Sequence, residues 1–246
     1  MRLAIISDIH GNLEALESVL SALKNEGVEA ALNLGDLVGY NASPNECLDL
    51  LQDYPVWHLA GNHDLALFDQ DRAQWFNIIA HEALVWCREH LRPEHMEFLH
   101  NLPLTLEKEN FIACHGTPTS PDTYVSHHFQ GKRVLSDLRR QALHRVCFFG
   151  HTHKRALWYR DVRGKVALQE ITSKKIRLQP DCHYLINPGS VGQPRDRNPE
   201  AAYAVFDGEE FSIHFKSTPY NVAQAQQRIL AAGLPPYLAE RLGLGI

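Results

Sequence analysis

Asp8 and His10 stand two residues apart, directly behind the apolar run Leu3-Ala4-Ile5-Ile6. On an extended segment, side chains at i and i+2 point the same way. A carboxylate and an imidazole can therefore face one point, and both are ligands for hard or borderline cations. A single Asp-x-His is equally a helix-capping aspartate beside a loop histidine. Here the arrangement recurs. The run 30–34 ends in Gly35-Asp36, and the run 56–60 ends in Gly61-Asn62-His63-Asp64. The run 111–114 leads into His115-Gly116, and the run 146–149 ends in Gly150-His151-Thr152-His153. Together the five ends offer Asp8, Asp36, the amide oxygen of Asn62 and the imidazoles of His10, His63, His115, His151 and His153. That is more than one metal needs, and the N/O mixture suits Mn, Fe, Zn, Co or Ni. A carboxylate placed between two such ions can bridge them at about 3.5–4 Å separation.

The elements that must position these residues follow from periodicity. Runs 3–6, 30–34 and 56–60 read as buried strands. Between them lie a helix with apolar residues at 13, 16, 19, 20 and 23, closed by Gly27, and a second helix opened by Pro44 and running through Gln52. This is the βαβ pattern of a parallel sheet, whose carboxyl ends share one crevice. Residues 72–91 read as one helix, with Trp75 and Trp86 in its core stripe, and Pro93 opens another that ends near Asn101. Strands 104–107 and 111–114 flank a turn at Glu109-Asn110. A loop at 117–130, rich in Thr, Pro, Ser and His, is long enough to suggest function. A helix at 132–143 and a strand at 146–149 follow. The remainder reads as antiparallel meanders (155–160, 165–172, 175–179, 183–187, 201–206 and 210–216) with a helix at 221–232. No linker or repeat divides the chain, so residues 1–246 read as one domain.

Composition narrows the function classes. The 246 residues are 44% hydrophobic and 22% charged, as in an ordinary globular protein. A net charge of −5 and the lack of a basic, aromatic-interleaved stretch argue against nucleic acid as partner or substrate. No apolar run approaches the roughly 20 residues of a membrane span, and the N-terminal run is too short for a signal-peptide core. The five cysteines are odd in number, with no Cys-x-x-Cys pair, which speaks for reduced thiols and a cytoplasmic location. Oligomeric state is not written in the string.

In order and spacing, Asp8-x-His10, Gly35-Asp36, Gly61-Asn62-His63-Asp64, Cys114-His115-Gly116 and Gly150-His151-x-His153 resemble the complete motif set of the calcineurin-like metallophosphoesterases. The segment Asn187-Pro188-Gly189-Ser190-Val191-Gly192-Gln193-Pro194-Arg195 resembles the matching stretch of the small bacterial and archaeal phosphodiesterase-type branch. The resemblance implies an α/β fold, a four-layer αββα sandwich of two stacked mixed β-sheets flanked by helices. It also implies one metal on Asp8, His10 and His153, a second on Asn62, His115 and His151, and Asp36 as the bridge. His63 would sit over the substrate and stabilise or protonate the leaving oxygen, oriented by Asp64. Implied with them is hydrolysis of a small phosphodiester or nucleotide-type substrate by a hydroxide shared between two divalent ions (Mn, Fe, Zn, Ni or Co). The alternatives are a phosphomonoesterase or protein phosphatase of the same fold, and a nonenzymatic protein-binding scaffold.

Other residues carry two readings. Arg195 could contact a substrate phosphate or pair with Asp196. Asn12 could contact phosphate or cap the next helix. Tyr40 could border the site or pack at the surface. His127-His128 and Arg139-Arg140 read as solvated faces, and His81, His90, His95 and His100 as ordinary helix histidines. Trp75 and Trp86 read as core, not as a stacking platform.

Overall fold

The structure is a computed structural model that describes residues 1–141, 144–171 and 175–246. Its first strand, β1 (Arg2–Ile6), is followed by α1 (Leu13–Leu23), β2 (Ala30–Asn33), α2 (Pro44–Gln52) and β3 (Val56–His58). β1 pairs with β2 in parallel, Leu3 opposite Ala30, and β2 pairs with β3 in parallel, Ala31 opposite Val56. The expected βαβ unit is therefore present. Three helices follow, α3 (Asn62–Ala66), α4 (Gln70–Ala73) and α5 (Ile78–His90), then α6 (Pro93–His100).

The hairpin β4 (Thr105–Lys108) and β5 (Phe111–Cys114) opens a second sheet, continued after α7 (His128–Gln141) by β6 (Val146–Phe148), β7 (Ala156–Arg160) and β8 (Val166–Gln169). β9 (Lys175–Arg177) returns to the first sheet and β10 (His183–Asn187) to the second. β11 (Ala201–Asp207) and β12 (Ser212–Thr218) complete the first sheet, and α8 (Val222–Ala231) and α9 (Pro236–Leu244) close the chain. The sheets have the orders β3-β2-β1-β11-β12-β9 and β4-β5-β6-β10-β7-β8. Both mix parallel and antiparallel pairs: β1 runs antiparallel to β11, while β10 runs parallel to β6 and antiparallel to β7.

Alternation along the strands builds the layers. Leu3 and Ile5 of β1 and Leu32 of β2 point inward and meet Phe111, Ala113, Val146, Phe148 and Ile186 of the other sheet. Ala4 and Ile6 point outward onto Leu16, Val19 and Leu20 of α1 and Leu48 and Leu51 of α2. Ile112, Cys147 and Leu185 point outward onto Val134, Leu135 and Leu138 of α7. Every central strand is apolar on both faces because both faces are covered, which is the expected αββα sandwich. All five cysteines are buried and unpaired. No helix among the described residues is long and apolar enough to cross a membrane.

Two boundaries differ from expectation. The helix expected over 72–91 is broken. Asp69 caps α4 by accepting the Arg72 N–H, and Asn77 caps α5 by accepting the Ala80 N–H. Trp75 falls in the break and is 89% exposed, not core. Trp86 packs partly buried, as expected. α7 begins at His128, inside the expected loop. The last residues of the helix expected over 132–143, and the end of the strand expected over 165–172, lie outside the described residues. α9, opened by Pro236, was not anticipated.

Candidate metal centre

The ligand-bearing residues sit where strands stop, and the stops are sharp. Asp8, His10, Asp36, His151 and His153 all adopt left-handed backbone, with φ between 49° and 65°. For non-glycine residues this costs about 1 kcal/mol or more each. Hydrogen bonds between the loops hold it. Asp8 N–H donates to Gly35 O at 3.0 Å, His10 N–H to Asp36 O at 2.9 Å and Gly192 N–H to Asp8 O at 3.0 Å. The Ser190 hydroxyl donates to Asp8 O at 2.8 Å. The Asn187–Arg195 segment thus ties the second sheet to the loop that carries Asp8.

The side chains converge in two groups sharing one member. Asp8, His10, Asp36 and His153 present ligand atoms within 4.8 Å of one another, as do Asp36, His115 and His151, and all are buried. Asn62 joins the second group through its amide oxygen, 3.1 Å from His115 Nε2. Asp36 Oδ2 lies 3.5 Å from His10 Nε2 and 3.3 Å from His115 Nε2.

The donor set fits cations. Asp8 Oδ2 and Asp36 Oδ2 are buried without a hydrogen-bond partner, a costly state for carboxylate oxygens unless a positive charge meets them. The Nδ1–H groups of His10, His115 and His153 donate to Val38 O, Leu34 O and Gln193 O at 2.8, 2.9 and 2.7 Å. Each bond fixes the tautomer and turns the Nε2 lone pair into the cluster. His151 is anchored through Nε2–H to Asp122 O at 3.2 Å, which leaves Nδ1 as its lone-pair nitrogen. His10 Nε2 and His153 Nε2 stand 3.2 Å apart.

Burial sets the charge states. It holds His10 and His153 well below the ordinary imidazole value and His151 at about 3, so all three are neutral, as ligands must be. It also pushes the Asp8 carboxyl up to about 7, although His115 pulls the other way. Burial alone would raise Asp36, but His115, His63 and His10 outweigh it and hold that carboxylate well below its usual range. Burial likewise disfavours charged His115, but Asp36, Asp8 and the Leu34 carbonyl together outweigh it and raise it to about 9, so its Nε2 lone pair becomes available when a cation displaces the proton.

His63 is not among the converging ligands. Its ring stacks on Phe76 at 4.5 Å between centroids, and its Nδ1 lies where a Cβ on Gly39 would be 2.5 Å away. That nitrogen has no partner. Asp64 does not orient it. The Asp64 carboxylate accepts the backbone N–H groups of Asp36, Leu37, Val38 and Gly61 at 2.9–3.2 Å. It is spent on the turn that presents Asp36, so Asp64 acts as a positioning residue for Asp36 and not as the orienting partner of His63.

Asn12 is likewise committed elsewhere. Its side-chain oxygen accepts the Ala15 N–H and caps α1, and its amide donates to Gly192 O at 2.9 Å and to Tyr220 Oη at 3.4 Å. The capping reading holds, and no donor is left for a phosphate. Arg195 does not pair with Asp196, which is taken by Arg155 at 2.9 Å. It donates instead to Tyr40 Oη at 3.3 Å and Gln193 Oε1 at 2.8 Å, with Nε buried and unpartnered. Tyr40 is buried against the His10 and His63 rings, at 4.6 Å from each.

These groups floor and wall a cleft of about 660 Å³. Asp36, Asn62, His63, His151, His153, Arg195 and Tyr40 line it. Trp75, Asp71, Asp122 and Tyr124 also line the cleft, and Tyr124 packs on His151 at 3.9 Å. None of the four was anticipated as part of the site. The Asn77 cap, which breaks the helix, was the signal for Trp75; the length of the 117–130 loop was the signal for Asp122 and Tyr124.

Comparison with known proteins agrees with this geometry. Residues 1–210 match the calcineurin-like phosphoesterase superfamily domain. An uncharacterised protein of Methanocaldococcus jannaschii is 36% identical over 99% of this chain and 98% of its own. The phosphodiesterase YfcE of Escherichia coli is 26% identical over 87% of this chain and 91% of its own. A metallophosphoesterase crystal structure from Sphaerobacter thermophilus is 33% identical, covers both chains fully and superposes with a TM-score of 0.83. The chain belongs to the calcineurin-like phosphoesterase superfamily.

Proposed function

We propose that this protein is a dinuclear-metal-dependent phosphodiesterase acting on a small phosphodiester or nucleotide-type substrate. The observation that carries the reading is Asp36, whose carboxylate belongs to both ligand groups at once. Asp8, His10 and His153 would hold one divalent cation, and Asn62, His115 and His151 the other. Such a pair, of Mn, Fe, Zn, Ni or Co, binds phosphoryl oxygens, offsets their developing charge and acidifies bound water at neutral pH.

The chain's own groups then have defined tasks. No acceptor faces His63 Nδ1, so the ring proton belongs on Nε2. That neutral N–H hydrogen-bonds the leaving alcohol oxygen and stabilises its developing charge as the ester bond breaks. Arg195, with an uncommitted Nε and no carboxylate partner, donates to a nonbridging phosphoryl oxygen. Tyr40 holds the guanidinium through its hydroxyl. Asp64 keeps the Asp36 turn rigid, so that little reorganisation is needed on binding.

The test is hydrolysis of bis-p-nitrophenyl phosphate, p-nitrophenyl phosphate, diadenosine tetraphosphate and a cyclic nucleotide with added Mn²⁺, wild type beside His63→Ala. The expected result is metal-dependent turnover that favours a diester and falls about 100-fold or more in the variant. Preference for the monoester would make it a phosphomonoesterase. No turnover on any of the four, with metal bound, would favour a protein-binding scaffold.

A further inference from the structure

A second cavity lies between the loop at 117–123 and α7. It holds about 500 Å³, a volume within the range of small-molecule sites. Its lining shares no residue with the cleft over the ligand groups.

Helical spacing builds one wall. Phe129, Arg133 and Asp137 follow one another at four-residue steps and so share a face of α7, and all three line the cavity. The ring of Phe129 is 77% exposed. The Asp137 carboxylate is taken by Arg140, while the Arg133 guanidinium has no ion pair or hydrogen bond among the described residues. α7 carries Lys132, Arg133, Arg139 and Arg140 against Asp137 alone, in a chain whose net charge is −5. This wall is therefore a local attractor of anions. Val134 and Leu138 of the same helix are buried in the core beside it.

The loop supplies the polar wall. Thr117 and Ser120 exchange backbone hydrogen bonds at 2.8 and 3.1 Å, which fixes the turn. The hydroxyl-bearing residues Thr119, Ser120 and Thr123 line the cavity. Gln130, also in the lining, accepts the N–H groups of Ser126 and His127 on Oε1 at 3.1 and 3.0 Å, which leaves its amide N–H₂ to donate.

We infer that this cavity is a second ligand site and binds a nucleoside monophosphate. The base stacks on the open face of Phe129. The phosphate takes the uncommitted guanidinium of Arg133. The ribose hydroxyls exchange hydrogen bonds with the loop hydroxyls and the Gln130 amide. A bare inorganic anion would use Arg133 and leave the ring and the hydroxyls idle. A purely apolar ligand would leave Arg133 without a counter-charge. One mononucleotide supplies a ring, alcohols and an anion together. The site is independent of the phosphodiesterase reading.

Asp122 and Tyr124 of the same loop line the first cleft, so the test must separate the two places. It is isothermal titration of AMP into the Mn²⁺-loaded chain carrying His63→Ala, which keeps the ester intact. The expected result is a site retained in Arg195→Met and weakened at least about tenfold by Arg133→Met, the size of a charge-assisted contact. Phe129→Ala should weaken it at least about fivefold, as loss of one stacked base does. Adenosine and ribose 5-phosphate should each bind more weakly than AMP by the same factors. Wild-type thermal midpoints in Arg133→Met and Phe129→Ala would show that neither variant is misfolded. Binding that Arg195→Met abolishes, or that Arg133→Met leaves unchanged, overturns the inference. So does a lack of binding at millimolar AMP, or inorganic phosphate binding as tightly as AMP. Each of these outcomes leaves the phosphodiesterase reading standing.

Discussion

Asp36 Oδ1 accepts the backbone N–H of His63 at 2.9 Å, while Asp36 Oδ2 faces His10 and His115 without a hydrogen bond. One carboxylate thus fixes the start of the helix that carries His63 and presents its free oxygen to both ligand groups. Asp36→Asn keeps the shape and removes the charge. Affinity for both cations should fall at least about tenfold, since even groups behind the ligands carry effects of that size. Isothermal titration with Mn²⁺ would check this, and two sites titrating as in wild type would show that Asp36 does not bridge.

Cations should also stabilise the fold. Without them Asp8 is pushed up to about 7 by burial, and two carboxylate oxygens lack partners. Cation at 100 times its dissociation constant adds about 2.7 kcal/mol per independent site. For a chain of this size that raises Tm by about 5–10 °C. Differential scanning calorimetry with Mn²⁺ and with a chelator gives the difference; equal midpoints would speak against binding in the folded state.

Gly61 is required for space. Its φ is −94°, an ordinary value, but a Cβ there would lie 2.0 Å from Asp36 Oδ1 and 2.3 Å from Asp36 N. Neither atom can retreat, because the turn is pinned by Asp64. Gly61→Ala should cost about 1–3 kcal/mol through overpacking and weaken metal binding with it. Denaturant melts together with metal titration would check both, and a variant that keeps wild-type values for each would mean that the turn is softer than its hydrogen bonds imply.

His58, away from the ligand groups, gives a clean pH dependence. Burial lowers it from 6.5 to about 4 in the fold. The unfolded chain gains its proton near 6.5 and the folded chain only near 4, so stability is fully present above 6.5 and is lost as pH falls toward 4. Partial exposure reduces the effect to about 1–2 kcal/mol. With metal saturating, His58→Leu should flatten the stability–pH curve between 6.5 and 4 relative to wild type. Parallel curves would remove His58 as the cause.

The ligand positions were legible because each follows an apolar strand whose two faces must both be covered, as with Leu3 and Ala4 in β1. Once the strands are parallel, their ends converge whatever the loops do. The roles of Asp64 and Asn12 were not legible. Both are spent on backbone N–H groups that exist only after the loops fold over one another, and no spacing encodes that. Trp75 was misplaced because its spacing from Ile78 and Ile79 matches a helix stripe, whereas the Asn77 cap starts that helix only at Ile78, beyond Trp75. Arg195 could not be separated from Asp196 by sequence alone; the decision lay with Arg155, forty residues away in the chain.

The most direct measurement is anomalous diffraction from crystals grown with Mn²⁺. The dinuclear account requires two peaks about 3.5–4 Å apart, one beside Asp8, His10 and His153 and one beside Asn62, His115 and His151, with Asp36 between them. A single peak, or two that do not share Asp36, would contradict it.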